Sequence, residues 1–193
     1  MKKLLITGFE PFGGEEINPS WEAVLRLPEK IGDYELTKLR IPVVFKTSAE
    51  IVRNKAEELC PDIILCVGQA GGRSAITPEF VGINLRHASI PDNDGNLPQD
   101  EPIVNGGENA YFSTLPVRKM VTAMQQAGVP AQVSYSAGAY VCNDVLYALL
   151  SRFAKSNTRV GFVHIPSCTD QNKQPSMPLN DIVKGLTVAI ASI

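Results

Sequence analysis

Asp62-Ile63-Ile64-Leu65-Cys66-Val67-Gly68 is an unbroken apolar run opened by an aspartate and closed by a glycine. A strand with one face in water alternates apolar and polar residues. This one does not, so it predicts a strand covered on both faces, as in a parallel sheet held between helix layers. Leu4-Leu5-Ile6-Thr7-Gly8 repeats the pattern near the start, and Arg159-Val160-Gly161-Phe162-Val163-His164 repeats it near the end. Gln132-Val133-Ser134-Tyr135 is a further strand candidate, and Tyr34 to Val44 is rich in β-formers up to Pro42.

Amphipathic helices are predicted between these strands. Thr47 with Glu50 three residues on has the form of a capping box, followed by Ile51, Val52, Ala56 and Leu59. Val117, Met120, Val121 and Met124 share one helical face, with Pro116 before them and Gly128 after. Val141, Val145, Leu149 and Phe153 mark another helix, and Leu179, Ile182, Val183, Leu186 and Ile190 a last one behind Pro178. Strands alternating with such helices predict an α/β fold: a three-layer α/β/α sandwich around a largely parallel, twisted sheet. No repeat, linker or low-complexity tract divides the 193 residues, so a single domain over 1–193 is expected.

The exception is the segment from His87 to Ala110, which carries Pro91, Gly95, Pro98, Pro102, Gly106 and Gly107. Loops beyond roughly 12–15 residues are uncommon in compact domains unless they serve a function or are disordered. Two readings stand: a surface loop packed by Ile90, Leu97, Ile103 and Val104, or a wall of a site or subunit contact.

Composition narrows the function. Lys plus Arg is 18 and Asp plus Glu is 20, a formal charge of −2, which argues against a nucleic-acid binder. Hydrophobic residues at 44% and charged residues at 20% exclude disorder as the main state. No apolar run approaches the roughly 18 residues of a membrane span, and the one behind Met1-Lys2-Lys3 is too short for a secretory signal. A cytoplasmic protein is expected, with its four cysteines as free thiols.

Several motifs fail on spacing. Gly8-Phe9-Glu10-Pro11-Phe12-Gly13-Gly14 follows a strand, but it lacks the Gly-Lys-Ser/Thr of a phosphate loop and the glycine spacing of a dinucleotide site. Its two phenylalanines suit either a pocket wall or a core. Asp92-Asn93-Asp94-Gly95 has Ile90 in the first ligand position of a calcium loop, so it reads as a turn. Cys60, Cys66, Cys142 and Cys168 form no Cys-x-x-Cys pair, and His164 with Cys168 would supply only half a zinc site. No metal or cofactor is expected.

Nucleophilic catalysis fits better. Cys142 stands where Ser136-Ala137-Gly138-Ala139-Tyr140-Val141 turns into a helix, and partial positive charge there lowers a thiol's pKa. Cys66, inside an apolar strand, and Cys60, before Pro61, are expected to be buried spectators, with Cys168 nearer the surface. Only His87 and His164 can serve as an imidazole base, and His164 lies at a strand's C-terminal end, where parallel sheets present functional groups. Glu79, beside the Gly68-Gln69-Ala70-Gly71-Gly72 turn, is the candidate to orient the ring. Each also has a plainer reading: a buried thiol, a core histidine, a solvated carboxylate.

Taken together, these segments resemble the pyroglutamyl peptidases, cysteine exopeptidases of the cytosol. The likeness runs through Gly8–Gly13 with Asn18-Pro19-Ser20, Gly68–Gly72, Ile76-Thr77-Pro78-Glu79, Ile90-Pro91-Asp92-Asn93 and Tyr111–Pro116. It is most specific in Ser134–Asn143 and Phe162-Val163-His164-Ile165-Pro166. The resemblance implies Cys142 as nucleophile, His164 as base and Glu79 as its partner. It also implies a pocket for the 5-oxoproline ring from Phe9, Phe12, Tyr140 and Val141, with Gln69 on the substrate backbone. Peptides with N-terminal pyroglutamate would be the substrates, no nucleic acid or membrane a partner, and a homodimer or homotetramer the assembly. Two departures stand out: Phe80 where the family generally has Lys or Arg, and Ser89 where many members carry an arginine associated with the oxyanion. Arg86 and Arg73 are the candidates to replace it, beside the Cys142 backbone N–H. The competing readings are a binding protein of the same fold with impaired turnover, and an amidase for another cyclic acyl group.

Overall fold

In the computed structural model, which describes residues 1–193, the apolar runs become the middle of a six-stranded sheet. The chain runs β1 (Lys2–Phe9), α1 (Pro19–Arg26), β2 (Lys30–Ile31), β3 (Tyr34–Ile41), α2 (Thr47–Leu59), β4 (Ile63–Gln69), β5 (Thr77–Pro78) and β6 (Val81–Ile83). It continues with β7 (Ala110–Phe112), α3 (Val117–Gln126), α4 (Val141–Phe153), β8 (Arg159–Ile165), β9 (Ser167–Cys168), β10 (Ser176–Met177) and α5 (Leu179–Ala191). Strand order in the main sheet is β2-β3-β1-β4-β8-β5. From β3 through β8 neighbours are parallel, while β2 and β5 close the edges antiparallel.

Strand side chains alternate between faces, and that period of two builds two cores. Leu4, Ile6, Ile63, Leu65, Val67, Val163 and Ile165 pack toward α1, α3 and α5. Leu5, Phe9, Ile64, Cys66, Val160 and Phe162 point the other way, toward α2 and α4. Gly68 and His164 continue that second set by parity, so both lie on the face that α4 covers. The α/β/α sandwich expected from the sequence is thus the fold, and it puts the Cys142 helix over the strand ends that carry Gly68 and His164.

Four local expectations fail. Gln132–Tyr135 is not a strand: Ser134 makes an isolated bridge with Glu79, and Ala131, just before the segment, one with Ile76. The chain from 130 to 134 runs beside β5 in one register through four backbone hydrogen bonds, and Pro78, which has no N–H to donate, interrupts the ladder. No capping box opens α2, because Lys46 is the residue before the helix and Thr47 already lies within it. Cys60 is exposed, held at the left-handed end of α2, whereas Cys168 is fully buried among the α5-side core. The His87–Ala110 segment is not packed by its apolar residues, since Ile90, Leu97 and Val104 are exposed. Polar anchoring replaces apolar packing there. Arg86 forms a buried ion pair with Asp144, its Nε donating at 2.8 Å, and the Asp92 carboxylate accepts from the N–H groups of Phe45, Asp94 and Asn96. Asp92–Gly95 is the turn expected from its sequence, with Gly95 at φ +83°.

Candidate active site

The β4 strand ends on Gly68-Gln69, and residue 68 is glycine because a side chain there has no room. A methyl group on Gly68 would lie 2.9 Å from Cys142 Sγ and 2.8 Å from Phe162 Cζ. Glycine therefore lets the nucleophile candidate sit directly on the sheet. Across the ladder Gly68 pairs with His164, which pairs in turn with Thr77 on β5. Cys142 and His164 thus flank one point at the strands' C-terminal ends. The α4 helix holds Cys142 there through Val141, Val145, Leu146, Leu149 and Leu150, all buried. Each such side chain contributes about 1.5–3 kcal/mol of burial, so the helix start is rigidly seated.

Glu79 completes the group. Its Oε1 lies 2.7 Å from His164 Nδ1, and the carboxylate is wholly buried. Burial alone would raise the pKa of Glu79, but the hydrogen bond and charge of His164, helped by Arg73, outweigh it and hold the carboxyl below its ordinary value. Burial pushes His164 down by more than Glu79 lifts it, so the ring rests neutral at pH 7. With Nδ1–H donated to Glu79, the lone pair of Nε2 is the one left to accept a proton.

The thiol departs from expectation. Cys142 is half-buried at a cavity wall, and removal from water pushes its thiol up to about 12, with the Glu79 charge adding to the rise and Arg73 opposing it. The helix-terminus effect is real but small beside removal from water, so Cys142 rests as a thiol rather than a thiolate. The backbone N–H groups of Val141 and Cys142, in the first turn of α4, have no oxygen acceptor within the chain, and that of Cys142 points toward its own sulfur.

Beside Cys142 opens a cavity of about 360 Å³. Phe9, Phe12, Val43, Ile90 and Tyr140 give it apolar walls, and Gln69, Asn18 and the Glu15–Lys173 pair its polar rim. Tyr140 stacks between Phe12 and Phe45, at centroid distances of 5.5 and 5.1 Å, and its hydroxyl donates to the Pro91 carbonyl at 3.0 Å. The Gln69 Nε2 donates to Ser167 Oγ and Gln171 Oε1. Of the residues singled out in the sequence, Phe9, Phe12, Gln69 and Tyr140 line this cavity with Cys142, whereas the Val141 side chain is buried in the α4-side core.

His87 stands apart in the long segment, paired with Asp100 at the surface. Neither arginine proposed as an oxyanion donor is free: Arg86 is bound to Asp144, and Arg73 to Glu79, Thr77 and Ser136. Ser89 is exposed, and Phe80 faces outward against Phe112 and Tyr135 with the Arg118 guanidinium over its ring. Both departures thus leave the Cys142, His164 and Glu79 side chains untouched. Sequence reasoning missed Asn143, whose amide fastens Ile83 and Leu85 to α4. Its position directly after the cysteine was the only available signal.

A thiol, a neutral imidazole and a buried carboxylate at the end of a parallel sheet define a cysteine hydrolase on an α/β/α sandwich. Comparison with known proteins narrows the class. The pyroglutamyl peptidase family model matches residues 2–193. Pyrrolidone-carboxylate peptidase of Clostridium perfringens is 50% identical over 99% of this chain and 92% of its own, and that of Thermococcus onnurineus 48% identical over 97% and 96%. Pyroglutamyl peptidase I of Bacillus amyloliquefaciens superposes with a TM-score of 0.94 at 46% identity, covering 100% of this chain and 96% of that one. The chain belongs to the pyroglutamyl peptidase family of cysteine exopeptidases.

Proposed function

We propose that Cys142, His164 and Glu79 are the triad with which this peptidase hydrolyses the bond after an N-terminal pyroglutamyl residue. The 2.7 Å contact of His164 with Glu79, on the face where Cys142 meets Gly68, carries the reading. The lactam ring enters the cavity between Phe9, Phe12 and Tyr140, with Gln69 at its polar rim. Glu15 is the only carboxylate lining the cavity, and Lys173 already neutralises it. A charged N-terminal amine would therefore lose its water without gaining a counter-ion, whereas an uncharged lactam loses little.

Attack follows proton transfer. His164 Nε2 takes the Cys142 proton as sulfur adds to the carbonyl carbon, and Glu79 stabilises the imidazolium that forms. The N–H of Cys142 faces the developing oxyanion, a donor worth roughly 2.7–4 kcal/mol when preorganised. Collapse expels the amine with the His164 proton, and water then releases pyroglutamate from the thioester. A chromogenic pyroglutamyl amide tests this directly. A rapid release of one amine per chain, with the acyl mass on the Cys142 peptide after acid quench, is the expected result. Acylation of another residue would overturn it.

The same reading favours a cytoplasmic location, where the four unpaired thiols stay reduced. No helix is long and apolar enough to cross a membrane. Exposure of Ile90, Leu97 and Val104 supports a homodimer or homotetramer built on the His87–Ala110 segment. Sedimentation velocity should then find a dimer or larger, and a monomer at micromolar concentration would remove that part of the proposal.

A further inference from the structure

Arg73 reaches back from the turn after β4 and touches three elements at once. One terminal nitrogen donates to Glu79 Oε1 at 2.8 Å and also to Thr77 Oγ1 on β5. Its other terminal nitrogen donates to the Ser136 carbonyl at 3.2 Å, in the segment that leads into the Cys142 helix. The Glu79 oxygen it binds is the one that receives His164, while Oε2 is buried with no hydrogen bond of normal geometry and the Ser134 hydroxyl is the other group that favours the charged carboxylate. Two donors therefore converge on a single carboxylate oxygen. An oxygen shared in this way accepts less strongly from each donor than an unshared one would.

We propose that Arg73 is a positioning residue of the triad, fixing the Glu79 carboxylate against the cysteine segment and limiting how tightly that carboxylate holds the His164 ring. Glu79 alone would favour a charged imidazolium. A guanidinium on the same oxygen opposes that charge, and His164 stays available as an acceptor. The charged groups acting on His164 are Glu79 and Arg73, and Cys142 from α4 meets Gly68, the ladder partner of His164. Of these, Arg73 is the only permanent cation.

The inference rests on the proposed triad, and the dependence of kcat/KM on pH tests it. In Arg73→Gln the acid limb should move to higher pH by about one unit, because the imidazolium is then opposed only by burial. A merely structural arginine would change the amount of active enzyme and leave the limb in place. Arg73→Lys keeps the charge but cannot span all three partners. Its limb should stay near that of the unmodified protein, with kcat down about tenfold and KM within twofold. An unmoved or lowered limb in Arg73→Gln overturns the proposal. If that variant does not fold, a kcat for Arg73→Lys equal to that of the unmodified protein does so instead. Cys142→Ala, assayed alongside, separates the two readings, since activity in that variant would mean that the triad itself is wrong.

Discussion

Cys142→Ala is expected to reduce pyroglutamyl-amide hydrolysis to the uncatalysed background at every pH, with the fold intact. The side chain is small, sits against Gly68 and Phe162, and makes no hydrogen bond that holds α4 in place. Its loss therefore removes the nucleophile and little else. Thermal unfolding should shift by no more than a few degrees, which distinguishes chemistry from collapse. Alkylation gives the complementary result. Cys60 is the exposed thiol, so a neutral alkylating agent should modify it first and leave turnover unchanged. Activity should fall only as Cys142 is labelled, and faster as pH rises, because burial holds that thiol at about 12. Inactivation that tracks Cys60 instead would overturn the assignment.

The second large effect belongs to the base and its partner. His164→Ala should lower turnover by about 10²–10⁴. Glu79→Gln should also lower turnover, by less than His164→Ala, since Arg73 keeps the amide oxygen toward Nδ1–H but the charge that stabilises the imidazolium is lost. His87→Ala should have little effect, because its pair with Asp100 is exposed and such pairs contribute only about 0–1 kcal/mol. The pH profile carries the sign. Catalysis needs neutral His164, and burial lowers its pKa from 6.5, so the acid limb of kcat/KM should lie below pH 6.5. A limb above that value would show that Glu79 outweighs burial.

The sheet was legible because β1, β4 and β8 are buried on both faces, and such strands leave uninterrupted apolar runs. The helices announced themselves by periodicity. The proposed triad came from the sequence for a different reason: with two histidines in the chain and a specific motif around Cys142, few assignments were open. What the sequence could not carry was set by neighbours distant along the chain. The thiol's resting state depends on how deeply α4 buries it. The Cys60 and Cys168 exposures are reversed because a helix end presents one to solvent while the α5 layer covers the other. Arg73 and Asn143 act through contacts across the fold, and neither spacing nor residue type discloses them.

Keeping Cys142 protonated has a consequence for durability. A thiolate attacks peroxides and disulfides far faster than a thiol does, and a protein that stores its nucleophile as the anion is oxidised while idle. On the proposed mechanism the anion forms only as a substrate's carbonyl arrives to take it. Between turnovers the exposed thiol is Cys60, which lies at the C-terminal end of α2, before β4 begins, and so at the opposite end of that strand from Gly68. The enzyme is armed by occupancy, and its shelf life is decoupled from its reactivity.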